Sequence, residues 1–256
     1  MTTDATPHDE TIREQFTRQA EPFARLPGHL DAIAHLIDLC EAGADDTVLD
    51  VGCGPGLLAC ALVKVTAHVT GIDMTSRMIT LARQRQREAG LHNMAWCEGV
   101  ARDLPYEDAS FSIVVSRYMF HHVVDPAAVL REMYRVCRPG GRVLVADPVL
   151  PAAHVDAFNA MERMRDPSHA AALSTEAFDA LFRQSGLTRV RRSGYDIDMA
   201  LEAQLAASFP APGDDERLRR LFRDDLTTQR LGVKTRLVEG QVYFTYPIAM
   251  AVGTKG

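Results

Sequence analysis

The 256-residue chain lacks the features that mark several large classes of protein. Its five cysteines have no paired CxxC spacing, its first residues form no basic and apolar leader, and no apolar run nears the roughly 20 residues that span a bilayer. Basic residues are in the minority, with 28 Lys and Arg against 34 Asp and Glu and a net charge of -6. We therefore expect free buried thiols, a cytoplasmic location, no membrane span and no nucleic-acid partner.

Several catalytic signatures are missing as well. The sequence has no HExxH motif and no GxSxG elbow, which excludes the common zinc-protease and serine-hydrolase patterns. His121 and His122 are neighbours, and successive side chains diverge on a helix or a strand, so the pair is a poor chelator. We expect no metal site.

What the chain does have is a regular alternation of strand-like and helix-like segments. Apolar runs such as TVLDV and FSIVVSR alternate with segments such as DPAAVLREMYRV, in which Asp125 and Pro126 favour a helix start. Strands separated by helices pair in parallel, because a parallel return needs a long crossover. The pattern predicts an α/β fold: a Rossmann-like doubly wound sheet of seven mostly parallel strands, with helices on both faces and a small helical lid.

The second half of the chain is less regular. After Asp147 come irregular to helical segments, a strand-like TRVRRSG, a polar helix-prone insert over about 197–237, and the long apolar strand QVYFTYPIAMAV, which we expect to close the sheet edge. We predict one domain over residues 1–256, made of an N-terminal lid segment (1–27), a cofactor-binding core (28–150) and a substrate-side half (151–256). The apolar positions of the insert, expected to cover an apolar substrate, are Met199, Leu201, Leu205, Phe209, Leu218 and Leu221.

Glycines are concentrated in VLDVGCGPGLL, at the end of the first predicted strand. Gly52, Gly54 and Gly56 let the backbone turn and let a ligand lie against bare main chain. A tight turn without a ligand is the alternative. The spacing is GxGxG, because Leu57 stands where a dinucleotide fingerprint has its third glycine. The loop therefore suits a nucleoside ligand without a pyrophosphate.

Acidic residues lie at the ends of the first two predicted strands. Asp50 lies in the first strand, and Asp73 follows VTGI, where its carboxylate can accept hydrogen bonds from both hydroxyls of a ribose. By itself, an acid at that second position would also suit a nicotinamide enzyme.

Four segments in this order, VLDVGCGPG, GID, EGVARDLPYEDASFSIVVS and EMYRVCRPGGRVLVAD, together resemble the class I S-adenosylmethionine-dependent methyltransferases. The likeness is to small-molecule enzymes of the ubiquinone/menaquinone C-methyltransferase type, and it runs from about Phe16 to the last strand. It implies methyl transfer from S-adenosylmethionine to a small-molecule acceptor, and it leaves the acceptor unnamed.

The resemblance also implies which residues bind the cofactor. The glycine loop borders its methionine part, Asp50 binds the amino group, Asp73 takes the ribose, and Met74 packs on the adenine. In EGVARDLPY, Val100 replaces an acid that holds the adenine amino group in the family, while Ala101 keeps its backbone N–H. REQFTRQAEPFARL (13–26) resembles a segment that folds over the cofactor, with an amphipathic helix packed on the sheet as the alternative. The expected cofactor-binding residues are Phe16, Gln19, Phe23, Asp50, Gly52, Cys53, Gly54, Gly56, Asp73, Met74, Val100, Ala101, Ser116 and Arg117.

Catalytic candidates follow the fourth predicted strand, in SRYMFHHVVDP. Methyl transfer from a sulfonium is a direct displacement, which a base assists when the acceptor must lose a proton. We expect His121 or His122 to be that base, with His121 facing the methyl group and its neighbour packing on the next helix. Local packing of both histidines is the alternative. Arg117 is expected to pair with the cofactor carboxylate or an anionic substrate, or else with a surface acid.

Substrate contacts are expected from two segments. Tyr118 follows the fourth strand, and MERMRDPSH follows the fifth, where Arg163, Arg165 and His169 would bind a carboxylate or phosphate of the acceptor. His169 is also a third catalytic candidate. A salt-bridged helix end is the alternative explanation for this segment.

Two other functions fit the same motifs. A lyase, cyclase or decarboxylase would use the cofactor site without methyl transfer. A non-catalytic scaffold would explain the missing acid at Val100.

Overall fold

The fold combines a central β-sheet with helices on both of its faces. A computed structural model describes residues 6–25 and 32–256, without the side chains of residues 23–25. Within those residues the strands are β1 (Thr47–Val51), β2 (His68–Asp73), β3 (Met94–Glu98), β4 (Phe111–Arg117), β5 (Cys137–Leu150), β6 (Leu173–Ser174), β7 (Thr188–Ala200), β8 (Arg236–Val238) and β9 (Gln241–Thr254). The α-helices are α1 (Pro7–Arg25), α2 (Ile33–Leu39), α3 (Leu57–Leu62), α4 (Ser76–Glu88), α5 (Pro126–Val136), α6 (Ala152–Arg165), α7 (Thr175–Gln184), α8 (Leu201–Ala206) and α9 (Asp214–Thr228).

The strand order is β3-β2-β1-β4-β5-β9-β7, and β1 to β5 run parallel. From β1 the chain moves outward through β2 to β3, then returns to the other side of β1 to form β4 and β5. Strand order therefore reverses between β1 and β4. In open α/β sheets, ligands bind in the crevice outside the carboxyl ends of the strands at such a point.

Local sequence explains the central elements. The strands β1 and β4 are buried along almost their whole length, as expected for parallel strands covered on both faces. Helix α5 starts where Asp125 accepts a hydrogen bond from the N–H of Ala128 at 2.9 Å and Pro126 takes the first helical position. Buried side chains of α2, α3, α6, α8 and α9 cover one face of the sheet, and those of α5 and α7 cover the other.

The predicted α/β class and mostly parallel sheet are confirmed, but the strand count is nine rather than seven. Seven strands form the continuous path, and the short strands β6 and β8 pair only with β5 and β9. The last long strand, β9, does not close the edge. It lies between β5 and β7, antiparallel to both, which explains its apolar sequence. The edge is β7, whose side chains are mostly exposed along TRVRRSG.

One expected element boundary is wrong as well. Strand β7 continues to Ala200, so the insert begins four residues later than expected. Leu201, Leu205 and Leu218 pack in the core instead of covering a cavity, because α8 and α9 lie on a face of the sheet.

Among the described residues, none of the helices combines the length and the hydropathy that crossing a bilayer requires. All five cysteines are free, and only Cys97 is more than slightly exposed.

Candidate active site

The glycine loop between β1 and α3 is docked on the end of β2. The backbone N–H groups of Gly52 and Cys53 donate to the carbonyl of Ile72, at 2.8 and 3.0 Å. The N–H of Gly54 donates to the Asp73 carboxylate at 2.9 Å. Gly52 and Gly54 have φ of +69° and +50°, in the left-handed region that favours glycine. The backbone hydrogen bonds and the positive φ values of the glycines together determine the shape of the loop.

The loop glycines differ in what a side chain would meet. A Cβ on Gly54 would have no atom of the described residues within 4 Å, so its bare backbone faces open space among them. A Cβ on Gly56 would lie 2.8 Å from the Trp96 ring and 3.0 Å from Ala82. Contrary to expectation, Gly56 does not line the cavity described next, because it is the contact point of α3 with β3 and α4.

A cavity of about 650 Å³, here called the large cavity, lies at the carboxyl end of the sheet, where strand order reverses. Its size and place are typical of small-molecule and cofactor sites. The expected cofactor-binding residues that line it are Phe16, Asp50, Gly52, Cys53, Gly54, Asp73, Met74, Val100, Ala101 and Arg117.

Asp50 places an unpartnered carboxylate oxygen at the large cavity. The residue is 2% exposed, and its Oδ2 has no hydrogen-bond partner among the residues that the structure describes. Burial raises its pKa to about 7; the charge of Asp73 adds to the rise, and Arg117 opposes it. A cationic donor in the cavity would supply the missing partner and favour the ionised carboxylate.

Asp73, at the end of β2, supports the loops on both sides of it. Its Oδ2 accepts the hydrogen bond from Gly54, and its Oδ1 accepts one from the N–H of Thr75, also at 2.9 Å. Burial raises the pKa of Asp73, and these hydrogen bonds oppose the rise. Each carboxylate oxygen has a second lone pair, so the side chain is fixed in place and can still accept from a ligand.

The N-terminal half of helix α1 covers the open side of the large cavity. Asp9 accepts two hydrogen bonds from the Arg102 guanidinium, both at 2.8 Å, and His8 Nε2 donates to the carbonyl of His122 at 2.7 Å. Arg13 Nε donates to the carbonyl of Met74 at 3.3 Å, just before α4. Helix α1 therefore packs against α4 and lines the cavity at the same time.

A 3-10 turn after β4, Phe120–His122, brings two histidines to a buried carboxylate. Asp147, in β5, accepts hydrogen bonds from the backbone N–H groups of Phe120 and His121, at 2.9 and 3.1 Å. The Nδ1 of His121 lies 2.9 Å from Asp147 Oδ1. The Nδ1 of His122 lies 3.0 Å from the Ser168 carbonyl oxygen, which can only accept. Each ring therefore has its proton on Nδ1 and its lone pair on Nε2.

The two neighbouring imidazoles have opposite pKa shifts. Burial lowers the pKa of His121, but the Asp147 carboxylate more than offsets this effect, so the pKa lies above the ordinary 6.5. Burial and the adjacent His121 lower the pKa of His122 to about 3. His122 is therefore neutral near neutral pH, while the Asp147 carboxylate favours the protonated form of His121.

A second cavity of about 80 Å³, here called the small cavity, lies beside the large one. Phe16, Tyr118 and His122 line both cavities. Both histidines of the 3-10 turn line the small cavity, with ring centroids 4.1 Å apart. His122 also lines the large cavity, whereas Asp147 holds the His121 ring in the small one.

Tyr118 lies between the two cavities in a strained backbone conformation. Its φ is +59°, a value that costs a large side chain about 1–3 kcal/mol. The Arg117 guanidinium lies 4.8 Å from the centre of the Tyr118 ring. The hydroxyl of Tyr118 forms a hydrogen bond with the hydroxyl of Tyr195.

The basic residues expected to bind an anionic acceptor are already paired. Arg165 donates to Glu162 from Nε and Nη2, at 3.1 and 2.6 Å, and to the Ser208 hydroxyl from Nη1 at 3.0 Å. Arg163 is exposed, donates to the carbonyl of Ala170, and lines neither cavity. The salt-bridged helix end, which was the alternative interpretation, describes this segment.

His169 also lies away from both cavities. Its Nε2 is 2.7 Å from Asn159 Oδ1, and burial lowers its pKa to about 2. Over residues 6–25 and 32–256, no cluster of three or more potential metal ligands occurs.

Of the remaining expected cofactor residues, two that the structure describes do not line the large cavity. Ser116 is buried within the sheet, where its hydroxyl donates to the carbonyl of Val51 at 2.9 Å. Gln19 lines the small cavity and donates to Asp166 at 3.0 Å. Phe23 belongs to α1, but its side chain lies outside the described residues.

The sequence patterns do not identify three polar residues of this site, which are Asp147, Glu162 and Gln204. Asp147 ends the apolar run VLVAD, so the reasoning that selects Asp50 and Asp73 at strand ends also applies to it. Glu162 and Gln204 come from α6 and α8, and only tertiary packing brings them to the small cavity.

Residues 42–202 match a family model described as "Methyltransferase domain". A Bacillus subtilis protein named "Uncharacterized methyltransferase YcgJ" is 36% identical over 181 residues, which are 69% of this chain and 72% of that protein. Its crystal structure superimposes with a TM-score of 0.82 and 25% identity, over 89% of this chain and 99% of that one.

Two further similarities concern enzymes with named reactions. The demethylmenaquinone methyltransferase of Listeria welshimeri is 38% identical over 152 residues, which are 56% of this chain and 64% of that enzyme. The phosphoethanolamine N-methyltransferase 2 of Haemonchus contortus, solved with S-adenosyl-L-methionine, has a TM-score of 0.70 at 16% identity, over 98% of this chain and 60% of that one. The second likeness shows the fold alone. The family match over more than half of the chain shows that the chain belongs to the methyltransferase domain family, as an S-adenosylmethionine-dependent methyltransferase.

Proposed function

We propose that the large cavity binds S-adenosylmethionine and that a small-molecule acceptor is methylated where the two cavities meet. The observation that carries the proposal is the buried Oδ2 of Asp50, which has no partner within the described part of the chain and lines the same cavity as the bare backbone of Gly54. The cofactor's ammonium group is a donor that fits this oxygen, and Asp73 is placed to accept from the ribose hydroxyls. The bound cofactor would supply a methyl group on a sulfonium, which a nucleophile can displace directly.

The walls of the cavity support the remaining assignments. Arg117 lies close enough to Asp50 to lower its pKa and is the residue we assign to the cofactor carboxylate. Met74 and Val100 offer apolar contact to the adenine, and Ala101 offers its backbone N–H. Val100 supplies no carboxylate for the adenine amino group, and the nearby Arg102 is bonded to Asp9.

We assign the role of general base to His121. Asp147 orients its ring and raises its pKa, so the Nε2 of His121 is a stronger base than that of His122. We assign to His122, which is neutral and held by Ser168, a hydrogen bond donated by the substrate that receives the methyl group. Helix α1 excludes water from the site by covering the large cavity.

Binding of S-adenosylhomocysteine is expected to depend on the ionisation of Asp50. The carboxylate must be ionised to hold the ammonium group, and its pKa in the free protein is about 7. Affinity should therefore be full above pH 7 and fall by about tenfold for each pH unit below it, as one proton is linked to binding. Calorimetric titrations between pH 5 and pH 8 measure this slope.

The variant Asp50→Asn tests the assignment of that proton. It should bind more weakly at pH 8 and show no slope below pH 7, while Asp45→Asn, at an exposed position, should behave like the wild type. An unchanged slope in Asp50→Asn would show that another group carries the proton and that Asp50 does not hold the ammonium.

A further inference from the structure

The small cavity has a negative lining that is not used by the cofactor site. Glu162 and Asp166 line it directly, and Asp147 lies behind His121. The positive charges that face them are Arg165 and, when protonated, His121. Among the residues that the structure describes, these three carboxylates against at most two cations leave an excess of negative charge. Such a lining attracts a cation and repels an anion.

Arg165 does not change this conclusion, because its guanidinium is already paired with two of these carboxylates, Glu162 and Asp166. Its Nε and Nη2 donate to Glu162, and its Nη1 donates to Ser208. Glu162 also accepts a hydrogen bond from the Tyr246 hydroxyl at 2.9 Å. Arg165 is buried, so turning its guanidinium toward a ligand would leave the Glu162 charge uncompensated.

Gln204 supplies an independent sign of a missing ligand. The residue lines the small cavity and is only 7% exposed. Its Oε1 has no hydrogen-bond partner within the described part of the chain. A buried carbonyl oxygen of this kind needs a donor. His122 adds a second acceptor at the same cavity, since its Nδ1 is used by Ser168 and its Nε2 keeps a lone pair.

We propose that the small cavity is the binding site for an amine head group of the methyl acceptor. The N–H donors of the amine meet Gln204 Oε1, and the excess carboxylate charge favours its protonated form. Ile197, Met199 and Ile248 give the cavity apolar walls for the carbon substituents of the nitrogen. That the ligand is the acceptor rests on the proposed function; the amine chemistry rests on the cavity alone.

Butylamine and butyrate test this proposal as matched probes, because they share an alkyl chain and differ in the sign of the head-group charge. Each is titrated calorimetrically into the protein, with and without saturating S-adenosylhomocysteine. Butylamine should bind, and butyrate at the same concentrations should not. The near-isosteric variant Gln204→Met removes the acceptor oxygen and should weaken butylamine binding by about tenfold.

The matched control is Gln84→Met, at an exposed position of α4, which should bind butylamine like the wild type. Circular dichroism confirms that both variants are folded. Equal binding of butyrate, or unchanged butylamine affinity in folded Gln204→Met, would overturn the proposal. Failure of S-adenosylhomocysteine to bind would instead overturn the proposed function, and the titrations without it would still decide on the amine site.

Discussion

Replacing Asp73 by alanine is expected to weaken the binding of S-adenosylhomocysteine by about 100-fold or more. The carboxylate is assigned to both ribose hydroxyls, and each hydrogen bond to a charged group contributes about 1.5–3 kcal/mol. It also anchors the backbone of Gly54 and Thr75, so its removal loosens the loops on both sides of the nucleoside. Isothermal titration calorimetry at pH 8, where Asp50 is ionised, measures the loss.

Two variants separate a lost contact from a lost fold. Asp73→Asn keeps the shape of the side chain and one acceptor oxygen, so its affinity should lie between those of the wild type and Asp73→Ala. Asp45→Ala removes an exposed acid before β1 and should bind normally. If folded Asp73→Ala binds S-adenosylhomocysteine as the wild type does, the nucleoside does not lie on β2.

Replacing His121 by glutamine is expected to lower kcat by about 10²–10⁴-fold and to leave the affinity for S-adenosylhomocysteine unchanged, because a general base contributes that much. The ring lines the small cavity only, so its removal should not disturb the cofactor. Asp147 keeps its hydrogen bonds to the backbone of Phe120 and residue 121, which preserves the turn. The measurement is S-adenosylhomocysteine production with any acceptor that the wild type methylates.

The pH profile distinguishes a base from a packing residue. The base must be neutral, so wild-type kcat should rise with pH through the pKa of His121, which lies above 6.5. Asp147→Asn removes the charge that raises this pKa and should move the rise to lower pH. The exposed His92→Gln is the matched control and should keep the wild-type profile. A pH profile of His121→Gln like that of the wild type would contradict the assignment of His121 as the base. Methylthioadenosine released without an acceptor would indicate an internal reaction of the cofactor.

The fold was predictable where local sequence and burial agree. Apolar runs such as VLDV and IVVS are buried on both faces, and Asp125 and Pro126 start α5 as their side-chain chemistry favours. The position of β9 was not predictable, because pairing with β5 and β7 depends on which strands arrive next to it in space. The apolar residues of α8 and α9 likewise indicate burial without saying under which surface they are buried.

The site was predictable where a residue stands directly at the end of a strand. Asp50, Gly54 and Asp73 come together because parallel strands present their carboxyl ends at one edge of the sheet. Side chains from helices could not be assigned in this way. The sequence suggests Arg165 and His169 as substrate-binding residues. In the structure Arg165 is paired with Glu162 and His169 is hydrogen-bonded to Asn159, and both of these partners lie on α6.

A crystal structure of the complex with S-adenosylhomocysteine tests the central claim most directly. We expect its ammonium group within hydrogen-bond distance of Asp50 Oδ2, its ribose hydroxyls on Asp73, and its sulfur facing the junction with the small cavity at Tyr118 and His122. A nucleoside bound elsewhere, or a large cavity filled by the protein's own side chains, would contradict the account.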